Sequence, residues 1–376
     1  MQDRHNSIIN DACKYMKKHS WITNGFIDRE LYGPFIVKED SDFYENLKKR
    51  YSTFKAAALR ADADDDSIKI IERYTTNVLA SIRKYYHGQI TDSQRIIRNL
   101  IKDCLDHTLA VSSLAKCEAF GVIKNQEIQF FRARVKSSEA CLYAYDMLHL
   151  PSYRRCKAKS ERFSIPGVPG FYLSNSSYGC WLELGQPADK DFWVSPCILD
   201  GNLRVLNLAV MNRDMHALND YEKNSVHCWL KLLILMIATS YRIEEDERNF
   251  CSEYIIPQNI MMACKELGLD GVIYYSNRTE DHIFAQAAIN AAFFVEYRTI
   301  YTKKSKISQK VKIGNPTNYN NYKQLSKDAK TAEYNLKCLN TGIYPAVGNY
   351  DNYDKYSNTE FCKFDKYIFA NWLDKD

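Results

Sequence analysis

The spacing of apolar residues changes character near Phe120, and that change limits the chain to folds joining a helical part to a sheet-containing one. From Ser7 to about Leu114, apolar residues recur at three- and four-residue spacing. Ser41–Tyr51, Asp66–Tyr86 and Thr91–Leu114 each read as amphipathic helices. Proline is nearly absent here, and the breaks fall near Gly33 and Gly88. Thr91, followed by Asp92, Ser93 and Gln94, has the residue types of a capped helix start.

Beyond Phe120 a two-residue period takes over. Glu127–Val135 (EIQFFRARV) predicts a strand with Arg132 and Arg134 on one face. Ser164–Ser174 (SIPGVPGFYLS) carries two prolines and two glycines that force a turn before a short aromatic strand ending at Ser174. One or two helical turns are expected over Ser177–Leu184, and a strand over Leu203–Leu208. Val226–Ala238 predicts a buried helix. Asn259–Leu267 predicts another, closed by Gly268 as a glycine C-cap. Gly271–Tyr275 and Phe293–Tyr297 read as strands. From Lys303 to Asp376 the chain is rich in Tyr, Asn and Lys; its tyrosines argue against full disorder, and its register is unreadable.

Composition narrows the function classes. With 51 Lys and Arg against 46 Asp and Glu, the net charge is +5 and scattered, so no dedicated nucleic-acid binding is expected. Met1–Lys18 is a polar helix without the apolar core of a signal peptide, and the apolar run at Val226–Ala238 is too short to span a bilayer. A cytoplasmic protein with no membrane partner is expected. No two of the 12 cysteines lie closer than 13 residues, which seeds neither a zinc site nor a tight disulfide. Free thiols and no bound metal follow. The chain contains no G-x-G-x-x-G, P-loop, H-E-x-x-H or G-x-S-x-G.

The remaining chemistry-bearing residues sit at the ends of strand-like segments. Arg132 and Arg134 need anionic company near a core. A salt bridge to Glu139 or Asp146 is the simpler reading, and a fork for phosphate or a ribose diol the sharper one. Glu183 lies in the apolar pentad CWLEL, either as a surface acid or held in a cleft. Tyr172, Tyr274 and Ser276 say little one by one.

Their order says more. RARV, then ERFSIPGVPGFYLSNSSYGCWLEL, then SEYIIPQNIMMACKELGLDGVIYYS resembles the RES domain family, known for an arginine, a tyrosine, a glutamate and a later serine in that order. The first block reads Arg162-Phe163-Ser164, Pro166-Gly167, Pro169 and Tyr172, with Glu183 eleven residues after Tyr172. The second reads Asp270-Gly271-Val272-Ile273-Tyr274-Tyr275-Ser276, with Asn290 where an asparagine often follows. The resemblance runs from about Phe130 to Phe294. It departs at Glu161, where glycine is usual, and at Ser164, where asparagine is usual.

The resemblance implies an α+β fold: an ADP-ribosyltransferase-like RES core with a split, mostly antiparallel sheet, preceded by a helical N-terminal domain. The expected division is 1–120 helical, 121–300 catalytic and 301–376 a polar extension. It implies NAD as substrate, with no cofactor, cleaved between nicotinamide and ribose by a glycohydrolase or phosphorylase of the toxin or defence-effector kind. Glu183, Arg132 and Tyr172 are then the expected catalytic residues. Arg162, Arg134, Tyr274, Ser276, Ser174 and Asn290 are expected to bind NAD. Inorganic phosphate and an antitoxin or sensor protein are the implied partners. A mono-ADP-ribosyltransferase acting on a protein, and a non-catalytic nucleotide-binding module, are the alternatives.

Overall fold

The computed structural model describes residues 31–37, 41–117, 120, 126–137, 139, 141–210, 225–243, 248, 250–297, 304–325, 346–349 and 351–373. The helix expected within Met1–Lys18 lies outside them. Strand β1 (Phe35–Ile36) leads to helices α1 (Phe43–Arg60), α2 (Asp65–Tyr86) and α3 (Ile90–Lys102). Next come β2 (Val111–Ser113), β3 (Glu127–Val135), β4 (Gly170–Ser174), α4 (Ser177–Glu183), β5 (Phe192–Asp200) and β6 (Arg204–Asn207). They are followed by α5 (Ser225–Thr239), β7 (Tyr241–Arg242), α6 (Ile255–Glu266), β8 (Gly271–Tyr275) and β9 (Ile289–Phe294). The chain ends with β10 (Val311–Ile313), β11 (Thr317–Asn318), α7 (Tyr319–Gln324), the β12–β13 hairpin (Ala346–Gly348, Tyr353–Lys355) and α8 (Glu360–Leu373). These elements form two compact units, Met1–Val111 with Asn207–Ala263, and Ser112–Leu206 with Cys264–Asp376. No helix among the described residues is long and apolar enough to cross a membrane.

The first unit is helical. Asp42 and Asp64 cap α1 and α2 by accepting from the backbone of Glu45 and Ser67. Their inward stripes, Phe43, Leu47, Tyr51 and Phe54 on α1 and Ile71, Tyr74, Val78 and Ile82 on α2, are buried as the periodicity requires. Helix α5 is apolar nearly all round and buried along its length. Helix α3 departs from the expectation at both ends. It begins at Ile90 after Gln89, which makes no side-chain cap bond, so Thr91 is inside the helix and not its cap. It stops at Lys102, short of the expected Leu114; the Asp103 side chain just beyond bonds Arg73 (2.6 Å), Tyr74 (2.9 Å) and Lys231 (3.0 Å), and Val111–Ser113 is a strand.

The second unit is mixed α+β and holds a sheet in the order β10-β5-β3-β4-β9-β8-β6-β2, with β11 also on β5. The pairs β10–β5, β3–β5, β3–β4, β4–β9 and β8–β9 are antiparallel. Strand β3 runs along β5 for its whole length but meets β4 at Phe131 and Ser174. Strand β5 is not among the expected strands, and its central Pro196 lacks a ladder donor. The Pro196 carbonyl still accepts from Gly314, just past β10. Strand β9 starts at Ile289, four residues before the expected Phe293. The expected helix start at Asn259 falls inside α6, and its glycine stop holds: Gly268 has φ +74°, where a side chain would be strained. One sheet face, with Phe131, Phe192, Val194 and Ile198, packs against Tyr319, Tyr322, Phe364, Ile368 and Phe369 of α7 and α8. The Tyr-rich C-terminal stretch thus contributes to the core.

Candidate functional site

Three strands bring the candidate residues into one row. Ser174 on β4 faces Asn290 on β9, and Asn290 faces Tyr274 on β8. Directly opposed residues of antiparallel strands point to the same face, so these three share it with Phe131, the β3 partner of Ser174. Tyr172, two residues before Ser174, lies on that face as well, and its hydroxyl donates to Ser164 Oγ at 2.9 Å.

Helix α4 lies on this face. Ser176 caps it by accepting from the Gly179 amide at 2.9 Å and itself donates to the Ala287 carbonyl. Gly179 is the point of closest approach. A Cβ there would stand 2.1 Å from Ser174 Oγ and 3.2 Å from Ala288 Cα, so only glycine lets the helix sit this near the sheet. One turn on, at i+4, Glu183 closes the helix, and its Oε1 accepts from Asn290 Nδ2 at 2.6 Å. The Glu183 side chain is exposed while Asn290 is buried, so the carboxylate is both tethered and open to solvent.

Arg162 stands over the Tyr274 ring, its guanidinium carbon 4.1 Å from the centroid, and donates to the Tyr275 carbonyl at 2.7 Å. Phe163 packs on the same tyrosine, with ring centroids 4.5 Å apart. Burial pushes the Tyr274 phenol well above its ordinary range. The Glu183 carboxylate adds to that rise and Arg162 opposes it, so Tyr274 is a permanent hydroxyl. Ser276 is fully buried, its Oγ accepting from the Arg278 amide at 3.1 Å. Its carbonyl accepts from His282 Nε2 at 3.1 Å, and burial plus the Arg162 charge lower His282 to about 3. His282 is therefore neutral, with Nδ1 buried and unbonded among the described residues.

Arg132 and Arg134 lie on the other face of β3. Arg132 donates through Nε to the Met147 carbonyl at 3.2 Å and through Nη1 to the Tyr172 carbonyl, and lies 5.3 Å from the Phe171 ring centroid. Arg134 donates to the carbonyls of Asp146 (2.6 Å) and Leu148 (2.7 Å). The expected salt bridge to Glu139 or Asp146 does not form: main-chain carbonyls of the 146–148 turn, and for Arg132 also that of Tyr172, accept these bonds, while the Asp146 charge acts on Arg134 without direct contact. Burial, with Arg134 beside it, lowers Arg132 to about 10. The structure thus gathers Glu183, Asn290, Tyr172, Tyr274, Ser174 and Arg162 on one face, with Ser276 at the end of β8. Arg132 joins them only through the backbone of β4.

Known proteins resemble parts of this chain. No family model matches it. Over 170 residues it is 32% identical to the putative toxin YopC of Bacillus subtilis strain 168. That match takes in 40% of this chain and 36% of YopC, so the chain spans little more than a third of that relative. Among solved structures it is similar to the M. tuberculosis MbcT–MbcA toxin–antitoxin complex, at 13% identity over 61% of this chain and 96% of that one. The TM-score of 0.31 is too low to carry an argument.

Several residues that build the site carried no readable signal. His282, Gly179 and Asn175 belong to no spacing pattern. Asn175 accepts from the Ile289 amide (3.1 Å) and donates to the Gln286 carbonyl (2.6 Å), pinning the loop before β9. Among the described residues no group of three or more His, Cys, Asp or Glu stands together as a metal site.

Proposed function

We propose that the chain degrades NAD by breaking its nicotinamide–ribose bond, and that it acts as a toxin. The observation that carries this reading is the Asn290–Glu183 bond. It fixes a solvent-open carboxylate beside a buried, protonated phenol and a stacked guanidinium, in the order of residues by which the sequence resembles the RES family. The partial likeness to the putative toxin YopC supports the biological half of the reading.

The chemistry asks for such a carboxylate. As the C–N bond breaks, nicotinamide leaves with the bonding pair and the ribosyl carbon becomes cationic, as in glycoside hydrolysis. Glu183 stabilises that charge from a fixed position and so lowers the barrier without reorganisation. Tyr172 flanks the ring and limits the access of water, while the buried Tyr274 supports Arg162. Arg162, held over Tyr274, meets the pyrophosphate or ribose oxygens. Arg132 acts through its bond to the Tyr172 carbonyl, keeping β4 in place. The cation is captured by water, giving ADP-ribose and a proton, or by inorganic phosphate, giving ADP-ribose-1″-phosphate.

The test is to incubate the protein with NAD, with and without phosphate and cell lysate, and identify the products by chromatography and mass spectrometry. Nicotinamide release with either nucleotide product is expected. Labelled protein bands in place of free nucleotide would establish a transferase, and intact NAD in every arm would refute the reading.

A further inference from the structure

We propose that Asp365 is a positioning residue for Glu183: it ties the first turn of α4 to the C-terminal helix α8 and so sets where the carboxylate at the far end of α4 stands. This rests on the NAD-cleaving reading of the site and extends it to a stretch outside the family resemblance.

Asp365 is buried, yet both its oxygens are engaged. Oδ1 accepts from the Ser177 amide at 3.1 Å, and Oδ2 from the Tyr356 hydroxyl at 2.6 Å. Ser177 is the first residue of α4 and Glu183 the last, seven residues in all. A helix that short, about 10 Å long, has no stability of its own and takes its place from what it touches. Besides the Ser176 cap and its bond to Ala287, four contacts define that place. The sheet side is set by Gly179 against Ser174. The outer side is set by Tyr178 and Trp181 against Phe361 of α8, at 5.5 and 5.4 Å between centroids. The far end is set by Glu183 on Asn290. Asp365 shares the near end with Ser176, which is bonded to Ala287, and holds the Ser177 amide in a buried spot where leaving it unbonded would be costly. Only seven residues span the two ends, so a displacement at Ser177 is passed along the helix toward Glu183. Misplacement of a catalytic group by about 1 Å costs on the order of 100-fold in rate.

The experiment measures nicotinamide release from NAD by the full-length protein and its variants. Asp365→Leu removes both bonds while keeping the forked shape of the side chain. It is expected to lower kcat about 10- to 100-fold with KM within about threefold, the pattern of a lost transition-state contact. Asp365→Asn can still accept from Ser177 and donate to the Tyr356 oxygen, and should stay within about threefold of wild type. Lys363→Ala, exposed on the same helix, should not differ from wild type. Wild-type kcat in Asp365→Leu, or an equal loss in Asp365→Asn, would overturn the proposal. Should Asp365→Leu not fold, Tyr356→Phe deletes one of the two bonds and should lower kcat a few-fold. No loss there would overturn it too. Hydrogen exchange on the amides of 177–183 separates this inference from the reaction itself: Tyr356→Phe should speed exchange there even if wild type releases no nicotinamide, a result that would sink only the reaction. Unchanged exchange in α4 would sink the anchor.

Discussion

The side-chain amide of Asn290 donates to the Glu183 carboxylate at 2.6 Å, tying the end of α4 to an interior strand of the sheet. The bond joins a buried residue to an exposed one. Its loss should therefore cost activity more than stability.

Glu183→Gln should lower nicotinamide release by about 100-fold or more, the usual cost of removing a preorganised charge-stabilising group. Unfolding should shift little, since the side chain is exposed. A discontinuous assay of nicotinamide and a urea titration check the two halves.

Arg162→Lys should raise KM for NAD about 10-fold. An ammonium lacks the planar face that stacks on Tyr274 and the fork that bonds the Tyr275 carbonyl and an anion together. Initial rates across NAD concentrations report this, and an unchanged KM would exclude Arg162 from substrate binding.

Gly179→Ala should destabilise the fold by about 1–3 kcal/mol, because its Cβ would collide with Ser174 Oγ. Activity should fall further than the unfolded fraction explains, since the helix must move off the sheet and carry Glu183 with it. Urea unfolding and NAD turnover on the same sample test both.

The pH dependence of stability has two opposed contributions. His282 falls to about 3 in the fold from an ordinary value near 6.5, so the unfolded chain takes up protons that the native state refuses. Its contribution is complete above about pH 6.5 and is lost as pH falls toward 3. Asp365 is raised to about 7 by burial, so the native state holds its proton where the unfolded chain does not. Its contribution is complete below about pH 4 and is lost as pH rises to about 7. Against wild type, His282→Gln should therefore lose less stability on acidification, by roughly 3 kcal/mol between pH 7 and 4. Asp365→Asn should lose less on going from pH 4 to 7. Chemical denaturation at each pH reads both.

Much of the local structure was legible because periodicity and turn chemistry act over a few residues. The stripes of α1 and α2, the all-apolar α5, the strands β3, β4 and β8, and the Gly268 stop could all be read along the chain. So could the blocks that place Arg162, Tyr172, Glu183 and Tyr274 in order. What the sequence by itself determined is therefore the element types and the set of polar residues near strand ends.

Tertiary structure alone decided which of those residues meet. Strand register put Ser174, Asn290 and Tyr274 in one row and sent Arg132 and Arg134 to the opposite face, where main-chain carbonyls hold them. Packing overrode local preference at Pro196 in β5, a strand paired on both sides. The partner of Glu183 lies 107 positions away, and that of Ser177 lies 188 positions away. Spacing cannot reveal such pairs, because their distance is set by the closing of the sheet and the docking of α8, not by the geometry of the chain between them.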